Sequence, residues 1–205
     1  MTIKWQLLSS EKGHGRLILF LRYETDLFTQ ALITTSKSLD KFAILTGHVI
    51  GPLTFLIMLL TCLVVALRYL FNEGATALQE SVIYFHGIVF MLGIAFTLQQ
   101  SEHVRVDIFY QRFSDKGKAT INIMGTLFFL FPLTSFIFWT SYDYVAFSWT
   151  LGEVSAEPGG LPFVYLLKTL IPIMAILLFL QGLSELCKNL SVIVLPVKQE
   201  MLKDG

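Results

Sequence analysis

Charge is what long parts of this chain lack. No Asp, Glu, Lys or Arg occurs in Phe42–Leu67, Ser81–Ser101 or Ala119–Tyr142, and Leu161–Ser184 holds only Lys168. A soluble domain carries about a quarter charged residues. Here the fraction is 15%, against 54% hydrophobic, which excludes an ordinary water-soluble domain. The net charge is zero, so composition carries no nucleic-acid signal. Cysteine is scarce: Cys62 falls mid-run and Cys187 follows the last run. Their different depths argue against a disulfide and for packing roles. Also missing are CxxC, HExxH, GxxxxGK[ST] and GxSxG, so no catalytic, cofactor or metal residue is assigned and an enzyme is not expected. No secretory leader is evident: Leu17–Leu21 is too short and lacks a small-residue cleavage site. The first spanning helix is expected to serve as the insertion signal.

What is present is four apolar runs. Each meets the ~20 residues that cross a ~30 Å hydrocarbon core at 1.5 Å rise. The expected fold is an all-α integral membrane protein with four transmembrane helices, at about 42–67, 81–101, 119–142 and 161–184, in one unit over 41–190. Residues 1–40 precede it and 191–205 form a tail. Leu17, Phe20, Leu21, Leu27, Phe28 and Leu32 give the N-terminal segment a sided apolar stripe. Two readings stay open for it, an amphipathic helix in the inner interface or against a partner, and a partly ordered tail.

The basic residues set an orientation. Lys4, Lys12, Arg16, Arg22, Lys37 and Lys41 precede the first run. Arg105, Arg112, Lys116 and Lys118 lie between the second and third, and Lys188, Lys198 and Lys203 follow the fourth. The other side has Arg68 alone. Lys and Arg favour cytoplasmic loops, so both termini and the 102–118 loop are expected in the cytoplasm, in the inner membrane of a bacterium. Trp139, Tyr142, Tyr144, Phe147, Trp149, Phe163 and Tyr165 read as an outer interfacial belt. Gly47-x-x-x-Gly51 has small-residue spacing for helix contact, Pro52 is expected to kink its helix, and Pro158-Gly159-Gly160-Leu161-Pro162 is turn chemistry before a helix start.

Lys168 lies ~10 Å along its run from Leu161. At that depth a charge must snorkel, pair or line a cavity; the expected partner is Glu80, Glu153, Glu157 or another subunit. His48 and His86 raise a haem-binding redox-enzyme anchor as an alternative. Their places in antiparallel helices put them ~13 Å apart in depth, which does not suit ligation by both rings. A small autonomous channel is a further alternative, and the scarcity of intramembrane ionisable groups speaks against it. Glu102-His103-Val104-Arg105-Val106-Asp107 closes the second run as a capping segment or a docking site for a partner.

The stretch Ala95-Phe96-Thr97-Leu98-Gln99-Gln100-Ser101-Glu102-His103-Val104-Arg105-Val106-Asp107 resembles the hallmark of the small membrane subunit of tripartite ATP-independent periplasmic (TRAP) transporters, the DctQ-like subunit. Ile108 to Gly125 and on to Pro132 continue the likeness. So do Ser148-Trp149, Glu153, Ser155, Glu157 to Pro162, Lys168, Pro172 and Gln181-Gly182. It spans roughly residues 40–190 and is nearest the mannitol/chloroaromatic-type branch. Many relatives carry basic residues where this chain has Gln99 and Gln100. The resemblance implies a scaffold that binds no substrate itself. Its partners would be a large elevator-type, DctM-like membrane subunit performing Na⁺-coupled uptake of an organic acid, a periplasmic solute-binding protein that delivers that acid, and membrane lipids. His103, Arg105, Asp107, Glu80, Lys168 and Glu157 are the expected contacts that fix register with partners.

Overall fold

The computed structural model describes residues 13–72, 74–100 and 113–201, with side chains for 27–72, 74–100 and 113–194. It is all-helical over these residues. Helix α1 is Gly13–Leu70 and α2 is Thr76–Gln99. Helix α3 is Asp115–Leu151, and α4 is Val164–Met201. All four are long and apolar enough to cross a membrane, as the runs predicted. The chain is a multi-pass membrane protein by these four helices.

Helix α1 is longer than any bilayer needs. Its 58 residues make a rod of ~87 Å. The N-terminal segment is helical from Gly13 and enters the first span without a break. The helix also continues through Pro52, whose missing N–H leaves one carbonyl without its ladder donor. Asn72, in the left-handed region at φ 55°, turns the chain out of α1, which carries Arg68 in its last turn where a cation suits the helix dipole. Helix α4, at 38 residues, likewise overruns its predicted span and reaches Met201.

Helix α3 begins with Ser114, whose Oγ accepts from the Gly117 N–H at 3.3 Å, an N-cap. It widens into a π turn over Thr126–Leu130. The cause is Pro132: it has no N–H to give and its ring crowds the carbonyl four residues back, so the turn before it opens. The Thr134 hydroxyl donates to the Leu130 and Phe131 carbonyls at 2.9 and 3.1 Å.

Helix α4 is the hub. It packs on α1, α2 and α3, and α1 packs on α2. Small residues permit the close approaches. A Cβ on Gly47 would lie 2.6 Å from the Phe96 ring, one on Gly87 2.9 Å from Leu167, and one on Gly182 2.5 Å from Leu130. Gly51 faces open space, so only half of the predicted glycine pair makes a helix contact. Between α1 and α4 the Ser184 hydroxyl donates to the Ser36 carbonyl at 3.2 Å, and small residues are buried along both helices, Thr29, Ser36 and Ala43 on α1 and Ser184, Cys187 and Ser191 on α4. The seven-residue steps on α1 are those of an antiparallel coiled-coil seam built from small side chains. The outer faces carry Phe42, Leu45, Phe55, Phe90, Phe129, Phe136 and Trp139, all exposed, as suits hydrocarbon as solvent.

Candidate functional site

Two polar clusters tie the helices, one at each end. The first surrounds the α3–α4 loop. Helix α3 ends at Gly152, left-handed at φ 56°, and the Glu153 N–H reaches back to the Ser148 carbonyl at 3.1 Å. This closure aims the Glu153 carboxylate inward. It accepts from the Ser148 hydroxyl at 2.6 Å and pairs with the Lys168 ammonium. Ser148 is wholly buried. The ammonium also stands 4.1 Å from the centroid of the Tyr144 ring, a cation–π contact. Of the three carboxylates the sequence offered to Lys168, Glu153 is the partner. The Lys168 hydrogen bond, then that of Ser148, hold the Glu153 carboxyl below the usual carboxylate range.

Glu80, in the first turns of α2, has a different task. It accepts from the Ser155 hydroxyl and, at 2.6 Å, from the Leu161 N–H, so α2 holds the loop in place. The Ser155 N–H bonds the Leu161 carbonyl at 3.1 Å and the Glu157 N–H bonds Ser155 Oγ at 3.1 Å. Gly160 is required here, because a Cβ would stand 2.5 Å from Ser155 Oγ and 2.6 Å from Glu80 Oε1. Gly159 takes φ 74°, the left-handed region that favours glycine. Glu157 is exposed and joins the loop through its backbone. Beside the cluster, the Trp149 indole N–H donates to Thr169 Oγ1 at 2.8 Å and its ring lies 4.7 Å from that of Tyr165.

The second cluster lies at the opposite end. Asp40 of α1 accepts from Ser184 Oγ at 2.7 Å and Gln181 Nε2 at 3.0 Å, and pairs with Lys188 at 2.9 Å. Lys188 also pairs with Glu185 at 2.8 Å. Asn189 donates to the Glu185 carbonyl at 2.7 Å and accepts from Asn122 of α3 at 3.0 Å. One polar edge of α4 (181, 184, 185, 188, 189) thus binds α1 and α3 together. Sequence reasoning missed Asp40, Ser184 and Glu185. The available signal was polar residues recurring at three- and four-residue steps at the end of an apolar helix.

From Val164 to Ser184 the rise along α4 is ~30 Å. The two clusters therefore bracket a layer close to the ~30 Å hydrocarbon thickness. Three buried polar atoms have no partner among the described residues: the Tyr84 hydroxyl, Gln99 Oε1 and Gln181 Oε1. His48 and His86 are both exposed, and His48 Nδ1 bonds the Ile44 carbonyl of its own helix at 2.8 Å. Cys62 is exposed and Cys187 buried, both unpaired. Of the predicted contact residues, the structure brings Glu80 and Glu157 into the loop held by Lys168. His103, Arg105 and Asp107 lie outside the described residues. Chemically, both clusters fasten elements to one another.

Comparison with known proteins gives one family. The model described as tripartite ATP-independent periplasmic transporters, DctQ component, matches residues 57–192. No curated protein and no solved structure matches the chain.

Proposed function

The chain belongs to the DctQ component family of tripartite ATP-independent periplasmic transporters, a family of transporter components, and from that premise we propose that it is the static small subunit that braces a large, elevator-type membrane partner. Its termini lie in the cytoplasm and its α3–α4 loop on the periplasmic side of a bacterial inner membrane. The partner takes up an organic acid with Na⁺, delivered by a periplasmic binding protein; the mannitol/chloroaromatic-type branch is the closest by sequence wording.

One observation carries the scaffold reading: the bundle is cross-tied at both ends of its apolar layer. Asp40, Lys188 and Asn122 join α1, α4 and α3 at one end, while Glu80, Glu153 and Lys168 lock the loop onto α2 and α4 at the other. A mobile domain needs a stationary body to move against, and such a body must resist shear. The wide exposed apolar surface supports that role, because displacing it through lipid meets resistance over its whole length. Glu80 and Lys168, proposed as register contacts, act through the shape of the loop they hold. Glu157, exposed at its tip, and His103, Arg105 and Asp107 are the residues that touch partners.

The test is reconstitution. Liposomes holding this chain alone should show no solute flux. Liposomes holding it with the large subunit, plus the binding protein and a Na⁺ gradient, should show uptake that is lost when this chain is omitted. Flux from the chain alone, or full uptake without it, would overturn the proposal. Charge reversal at Asp107 should reduce co-purification with the large subunit; undiminished yield would remove Asp107 from the contacts.

A further inference from the structure

Helix α1 has a second face that its contacts with α4 and α2 leave open. Gln30, Thr34, Lys37, Ser38 and Lys41 recur at helical spacing, and all five are exposed. They lie around the helix from the buried residues Thr29, Ser36 and Ala43, of which Ser36 meets Ser184 of α4. Among the described residues neither Lys37 nor Lys41 has a carboxylate partner; Asp40, between them in sequence, is turned to Lys188.

The face changes character within one turn. Beyond Lys41 it continues as Leu45 and Val49, with Phe42 at its side, all exposed. The change falls level with the Asp40 cluster, where the apolar layer begins. A cationic, hydroxyl-bearing strip thus sits at headgroup depth, directly continuous with an exposed apolar strip at acyl-chain depth. One molecule presents the complementary sequence of groups: a phospholipid with net negative charge.

We propose that this face of α1 binds an anionic phospholipid. The Lys37 and Lys41 ammoniums, one turn apart, hold the phosphate. Ser38 and Thr34 donate hydroxyls to the headgroup oxygens, and the acyl chain lies along Leu45 and Val49. A lysine is a mobile point charge on a long stem, suited to a phosphate whose position varies, and basic residues beside a membrane edge attract anionic leaflets. The inference needs the chain to sit in a bilayer and does not depend on its being a transporter subunit.

The experiment measures the thermal unfolding midpoint of the purified full chain in neutral detergent, with added phosphatidylglycerol or phosphatidylcholine of the same acyl chains. Phosphatidylglycerol should raise the midpoint beyond any rise given by phosphatidylcholine. Lys37→Gln with Lys41→Gln should remove at least half of that extra rise, and Lys37→Arg with Lys41→Arg should keep it. Both positions are exposed, so the midpoints in phosphatidylcholine should match wild type. If the double Gln variant fails to fold, each single Gln variant is read in the same way. Equal rises from the two lipids, or a full extra rise in the Gln variants, would overturn the proposal. So would the same rise from inorganic phosphate alone, which would mark a free-anion site.

Discussion

At residue scale the informative pair is Lys168 and Glu153. A lone ammonium at Lys168 would be costly in lipid. The chain meets this by bending the loop after Gly152 so that Glu153 comes down to it, while Ser148 and Tyr144 complete its surroundings. Lys168→Met should lower the thermal midpoint because it strands the carboxylate. Lys168→Met with Glu153→Gln should be no worse than the poorer single variant, since partners in one contact couple. A double-mutant cycle by thermal unfolding reads this, and strict additivity would refute it. The pair also sets an acid limb. The carboxyl titrates lower when folded than when unfolded. Its contribution is therefore complete above the unfolded value and is lost as pH falls through the lower, folded one. Glu153→Gln should flatten the loss of stability in that acid range and leave neutral pH dependence unchanged.

At element scale the α1–α4 seam decides how near two long helices come. Thr29, Ser36 and Ala43 are buried at seven-residue steps, so large side chains there have no room. Ser36→Leu should cost about 1–3 kcal/mol through overpacking, and Ser36→Ala should stay within about 1 kcal/mol, since the hydroxyl bonds the Ile33 carbonyl of its own helix. Chemical unfolding in detergent compares the two. The same reasoning applies where Gly182 meets Leu130 at the π turn of α3. Gly182→Val should destabilise by a similar amount, and Leu130→Ala, which vacates the space, should recover part of the loss.

For the whole molecule, the design is a layer held at both faces. Helix α4 reaches every other helix and carries the ammonium of each charged cluster, Lys168 and Lys188. They are ~30 Å apart along the helix and share no partner. Lys168→Met and Lys188→Met should therefore each lower stability, and their combination should add to within about 0.5 kcal/mol. Marked non-additivity would mean that the ends communicate through the bundle, contrary to a rigid brace.

The sequence by itself determined the four spans, because uncharged runs of bilayer length leave a chain few other stable solutions. It also showed the need for a partner at Lys168, and its family resemblance lay in local motifs. Tertiary structure decided which carboxylate answers Lys168, because Glu80, Glu153 and Glu157 are alike in type, and the left-handed turn at Gly152 brings Glu153 to the ammonium while Glu80 is taken by Ser155 and the Leu161 N–H. It decided that Glu80 holds the loop. It revealed the Asp40 cluster, whose members stand more than 140 positions apart in the chain and meet only once α1 lies antiparallel along α4. Burial along a helix follows from composition, whereas pairing between helices depends on rotation and register, which no single run of residues contains.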